Sequence, residues 1–188
     1  MKRFFWLLIR LLTLPCLLNE GLLVLLRLRK QYFDSLTFWL LTAAMCLVPI
    51  AGYLLNLCKN QTDNDKRRKN AMIASLVGYC AGTAALLIMR RPAEELIILL
   101  TYLISGLLIA FFSLCGVRAS GHAAGIAGPF FIAAYLRVMP LFLLLPLFVI
   151  IFGLTVAASL RLKRHKAGEL LLGAACPIAA FQLLNLIL

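Results

Sequence analysis

Apolar runs separated by short charged stretches divide the chain at about 4–28, 36–58, 71–89, 96–115, 123–135, 138–160 and 170–188. Crossing the hydrocarbon core of a bilayer takes about 20 mostly apolar residues. The pattern therefore predicts an all-α fold, a polytopic transmembrane helix bundle of six or seven spans. Two runs fit a span poorly. The first is interrupted by Asn19, Glu20 and Gly21 and carries Arg10 in its interior, so a bent amphipathic helix in the interface is an alternative to a crossing. The fifth is short and contains Gly125, Gly128 and Pro129, which suits an interior helix whose backbone is covered by neighbours.

Composition places the chain in the same class. Of 188 residues, 63% are hydrophobic and 14% charged, against roughly 45–50% apolar and 25% charged in soluble domains. A soluble globular protein is excluded. The expectation is one membrane domain over 1–188, with 1–34 an N-terminal apolar segment and 35–188 the helical core. Lys2 and Arg3 before an apolar stretch look like the start of a secretory signal, but no small-x-small cleavage site follows, so the segment is expected to be retained. The six cysteines show no CxxC spacing and are expected to be buried small hydrophobes.

The net charge is +12, and the basic residues sit in clusters between apolar runs. That distribution argues against nucleic acid and for membrane lipids, whose headgroups carry phosphate. Helix parity adds a constraint. Lys66, Arg67, Arg68 and Lys69, then Arg118, Ser120 and His122, then Arg161, His165 and Glu169 should all reach one membrane face. Arg90, Arg91 and Pro92 should reach the other. Lys and Arg are denser on the first face, which the positive-inside rule would make cytoplasmic.

Both histidines of the chain, His122 and His165, fall in these clusters. Histidine can act as nucleophile or as general acid and base near neutral pH; the plain alternative is a helix end wetted by headgroups. Ser120-Gly121-His122 opens a helix, where free backbone N–H groups suit an anion. In the stretch from Ser159 through Arg161 and His165 to Glu169, the acid lies one helical turn from the imidazole and can fix its tautomer. The alternative is a basic juxtamembrane anchor with an acid at a helix start. Asp63 and Asp65 are too few carboxylates for a divalent-ion site, and no cofactor or metal is expected.

Residues from about 59 to 173 resemble the type 2 phosphatidic acid phosphatase superfamily of integral-membrane lipid phosphatases. That family gathers three motifs on one face: Lys-x6-Arg-Pro, Pro-Ser-Gly-His and Ser-Arg-x5-His-x3-Asp. Ala119-Ser120-Gly121-His122 matches the second, with alanine for proline. His165 and Glu169 match the third, with a longer acid. Ser159 stands where the third motif has arginine, and Arg161 is the nearest substitute. The first motif is degenerate: Arg91-Pro92 is on the wrong face, and the 66–69 cluster, with Lys59 seven residues before Lys66, lacks the proline.

The resemblance implies hydrolysis of a lipid phosphate or diphosphate through a phosphohistidine, without metal. His165 would be the nucleophile, Glu169 its orienting acid and His122 the general acid and base. Lys66, Arg67, Arg68, Lys69, Arg118, Ser120, Gly121 and Arg161 would hold phosphate. The low length, the compact loops and the absence of an organellar import signal lead to the expectation of a multi-pass protein of a prokaryotic inner membrane, and members of the family commonly work on the outer face of that membrane. Two other readings stay open: a protein of this shape that binds phospholipid without hydrolysing it, and a small transporter subunit. The residues do not choose the lipid or the oligomeric state.

Overall fold

The computed structural model describes residues 2–30, 33–58 and 64–187, and every regular element among them is helical. In chain order these are α1 (Lys2–Leu12), α2 (Pro15–Lys30), α3 (Ser35–Thr42), a π-helical turn (Ala43–Leu47), α4 (Val48–Cys58), α5 (Asn64–Ile88), α6 (Ala93–Leu114), α7 (Gly121–Tyr135), α8 (Leu141–Arg161) and α9 (Ala167–Ile187). Six stretches are long and apolar enough to cross a membrane: Arg3–Arg29, Ser35–Leu55, Lys66–Ile88, Ala93–Leu114, Leu141–Arg161 and Ala167–Leu186. The chain is an all-α, multi-pass membrane bundle. Helix α7, 15 residues long, extends about 22 Å at 1.5 Å per residue and falls short of the ~30 Å hydrocarbon core. Its residues from Ala123 to Pro129 are buried, as the fifth run's small residues suggested.

Local chemistry sets the helix boundaries. Asp34 caps α3, its carboxylate accepting from Thr37 N–H at 2.8 Å, and Pro92 precedes α6 with Glu94 and Glu95 in its first turn. Proline at the first position of α2 separates that helix from α1 and bends the first span. The π turn lies just before Pro49, which has no N–H to give the Met45 carbonyl. Widening there lets Val48 N–H reach Ala43 O instead. Four helices stop in the same way, with Arg90, Gly116, Arg137 and Lys163 at positive φ and the following amide bonded back five residues.

The main core joins Leu22, Leu23 and Leu26 of α2, Leu41 of α3, Met45, Ile98, Leu99 and Tyr102 of α6, and Ile132 of α7. Within it Tyr102 Oη donates to Asn19 Oδ1 at 2.6 Å, a polar pair that ties α6 to α2 where water cannot compete. Large apolar side chains cover the outside, Phe142, Val149 and Leu171 among them, as a lipid-facing surface requires. Cys46 and Cys176 are buried as expected, but Cys80 and Cys115 are exposed; a thiol is apolar enough to lie on a bundle's outer surface.

Candidate functional site

The order of helices brings the starts of α5, α7 and α9 and the end of α8 to one end of the bundle. Three backbone facts fix that end. Ser120 caps α7, its Oγ accepting from Ala123 N–H at 3.3 Å. The Ser120 N–H donates to Glu169 O at 2.9 Å, which sews the start of α7 to the first turn of α9. Gly173 then faces the same residue: a Cβ there would meet Ser120 O at 2.2 Å, so only glycine allows α9 to lie this close. Gly125 does the same for the first span, since a Cβ would meet Pro15 Cβ at 2.4 Å.

His165 is set by the turn before it. Helix α8 ends with Lys163 N–H on Leu160 O and Arg164 N–H on Ser159 O, with Lys163 in the left-handed region. The chain reverses there, and His165 reaches the start of α9, where its Nδ1 lies 2.8 Å from Glu169 Oε2. Both side chains are mostly covered, at 15% and 18% exposure. A carboxylate accepts, so Nδ1 carries the hydrogen and Nε2 keeps its lone pair. Burial is the largest influence on the His165 pKa and, together with the charges of Arg68 and Arg10, holds it below the ordinary histidine value against the hydrogen bond and charge of Glu169, which raise it.

His122, the second residue of α7, is held lower still, at about 3, by burial first and then by the charges of Arg10 and His165. The same interactions show that the two imidazoles share one electrostatic site. Thr13 Oγ1 lies 3.4 Å from His122 Nε2 and donates to Ile9 O at 2.9 Å. With its hydrogen used on Ile9, the hydroxyl is left to accept from Nε2. The Gly121 N–H, first of its helix, has no carbonyl four residues back to meet and is a free donor for an anion.

Cations surround the pair. Arg68 of α5 donates from Nη2 to Ala119 O at 2.8 Å and acts on His165. Arg118 is exposed and within electrostatic reach of Glu169. Lys66 and Lys69 are exposed and Arg67 is half-buried, its guanidinium 6.0 Å from the Tyr53 ring centre. Arg161 closes α8 as an exposed residue. The structure thus gathers Arg68, Arg118, Ser120, Gly121, His122, His165 and Glu169, while Lys66, Lys69 and Arg161 lie on the surface around them. Lys59 and Asp63 lie outside the described residues, as does the side chain of Asp65. Among the described residues no three His, Cys, Asp or Glu side chains cluster as metal ligands do.

At the opposite end Arg91 pairs with Asp34, where parity placed the Arg90–Pro92 turn. Two members of the histidine site were not among the expected site residues: Thr13 and Arg10, whose Nη1 donates to Ser159 Oγ at 2.9 Å. The signal for Arg10 was present, because a charge inside an apolar run is costly and marks function by default. Its destination was not legible, since Ser159 is 149 positions away. No protein-family model, curated protein or solved structure matches this chain.

Proposed function

We propose that the chain is an integral-membrane lipid phosphatase that hydrolyses a phosphate monoester or diphosphate of an amphiphilic lipid through a phosphohistidine on His165. The observation that carries this reading is the pairing of two environments. One imidazole is oriented by a carboxylate with Nε2 left basic, and a second lies in the same electrostatic site, among basic side chains. Nucleophile, orienter and proton carrier are the parts that phosphoryl transfer through an enzyme intermediate needs.

In the first step His165 Nε2 attacks phosphorus, the bond from phosphorus to the lipid oxygen breaks, and His122 gives that oxygen a proton. His122 is neutral in the empty site; the negative charge of a bound phosphate favours its protonated form. In the second step neutral His122 takes a proton from water, the resulting hydroxide attacks the phosphohistidine, and phosphate leaves with His165 regenerated. Glu169 holds the imidazolium that forms at His165. Arg68, the Gly121 N–H and the surrounding cations hold the equatorial oxygens. No step calls for a metal. The site lies at the headgroup level of one face, which suits a phosphate at the end of a lipid, and a prokaryotic inner membrane is the proposed location.

Purified protein in mild detergent, given a panel of lipid phosphates and diphosphates with EDTA present, should release phosphate. His165→Ala and His122→Ala should not, while keeping the elution profile of the parent. Full turnover in His165→Ala would end the scheme. Lipid binding without phosphate release from any substrate would favour a phospholipid-binding protein, the reading that Ser159 in place of a motif arginine supports.

A further inference from the structure

Helix α1 turns its one internal cation inward. Phe4, Phe5, Leu7, Leu8, Leu11 and Leu12 are exposed on its outer face, whereas Ile9 and Thr13 are buried and Arg10 is half-buried. Arg10 and Thr13 are spaced to share a helix face, and one meets Ser159 while the other meets His122. An amphipathic helix lying in the interface would put Arg10 in water. Among the described residues a guanidinium with five donors here has one hydrogen-bond acceptor, the neutral Ser159 Oγ, and no carboxylate within ion-pair distance.

Its electrostatic neighbours make the arrangement costlier. Arg164 acts on Arg10, Arg10 acts on both His122 and His165, and Arg68 acts on His165. Two guanidiniums, Arg10 and Arg68, therefore act on the histidines and a third, Arg164, on Arg10, while the nearby Glu169 carboxylate is bonded to His165. A desolvated cation among like charges is unfavourable unless an anion joins them. The anion must fit between the Arg10 fork and His165, and a tetrahedral phosphoryl group with several acceptor oxygens matches planar guanidinium donors.

We infer that Arg10 is a phosphate-holding residue of this site, delivered from α1 to the place where residue 159 stands and contacting the phosphoryl oxygens of a lipid phosphate. The inference rests on the phosphatase reading for its substrate and makes the first span an integral wall of the site. Ser159, a small neutral residue at the end of α8, is what leaves room for a guanidinium arriving from another helix.

The test uses the full-length protein in detergent with two probes, inorganic phosphate and phosphatidate in mixed micelles. Thermal stabilisation by each is measured alongside turnover. Arg10→Gln keeps an amide donor for Ser159 and removes the charge. It should lose stabilisation by both probes and about 10²–10³-fold in kcat/KM, the effect of deleting one transition-state charge contact. The exchanged pair Arg10→Ser with Ser159→Arg, which returns the charge from α8, should recover at least tenfold over Arg10→Gln and bind both probes again. A tie of α1 to α8 without a role in binding would leave Arg10→Gln within threefold of the parent, and that result overturns the inference. If Arg10→Gln fails to fold, the exchanged pair decides alone: stabilisation by phosphate upholds the inference, and its absence overturns it. Parent protein that binds both probes through Arg10 without turnover would break the phosphatase reading and leave the anion site standing.

Discussion

Arg91 and Arg10, at opposite ends of the bundle, are partnered in opposite ways. At one end Arg91 meets the Asp34 carboxylate, which also caps α3. Cation, anion and helix terminus satisfy one another there, and a ligand has little to gain. At the other end Arg10 rests on a serine hydroxyl and Arg68 on a backbone carbonyl, while the carboxylate of Glu169 is bonded to His165. Neutral acceptors satisfy geometry and leave charge uncompensated. On the reading proposed above, a positive site built this way would select an anion. On the function proposed above, the difference separates an arginine that shapes the fold, Arg91, from those that would serve the chemistry, Arg10 and Arg68.

The largest break of this contrast falls on the histidines. His165→Ala should lower kcat by at least about 10³-fold, and Glu169→Gln, which keeps the shape and removes the charge, by roughly 10²–10³-fold, both read as phosphate release. Equivalent changes at the far end, such as Arg91→Gln, should leave kcat within twofold. Next in size is the seam between α7 and α9. Gly173→Ala pushes a methyl group onto the Ser120 carbonyl, which backbone cannot yield, and should cost about 1–3 kcal/mol in a detergent unfolding titration, with loss of turnover because Ser120 and Glu169 move together.

The pH profiles should diverge in the same way. With His165 below the ordinary histidine pKa, its nucleophilic form persists below pH 6.5, and kcat/KM should fall only as the pH drops through that lowered value. His122, neutral in the fold and titrating at about 3, takes up its proton near 6.5 once unfolded. Stability should therefore decline as the pH falls from about 6.5 towards 3. His122→Gln should flatten that decline. Asp34 runs the other way in pKa and the same way in stability: the Thr37 amide and Arg91 hold it at about 2. Its contribution is complete above about 4 and is lost as the pH falls through 2, and Asp34→Asn should abolish that part alone. The smallest effect is at Lys163, a left-handed position at the end of α8. Lys163→Gly removes the strain of a side chain there and should stabilise the protein by about 1 kcal/mol without altering turnover.

Much of this arrangement was legible because it depends on counting. Apolar runs long enough to cross a membrane fix the parity of the loops, and parity alone places Arg68, Ser120 and Glu169 at one end. The four-residue spacing of His165 and Glu169 points to their contact, but α9 begins at Ala167, so His165 meets Glu169 from the turn before the helix and not from a shared helix face. What the sequence hides depends on packing at long range. Nothing local says that α1 lies against α8, that Thr13 stands beside His122, or that an arginine can arrive at residue 159 from another helix. The π turn was equally hidden, since Pro49 marks a local disturbance without specifying how the turn before it relaxes.

The most direct measurement is to find the phosphoryl group itself. Protein turning over a lipid phosphate should be quenched in base, where phosphohistidine survives, and its peptides read by mass spectrometry. The account predicts phosphate on His165 and on no other residue, absent from His165→Ala and from protein without substrate. Turnover by an enzyme that never carries phosphate on His165 would contradict it.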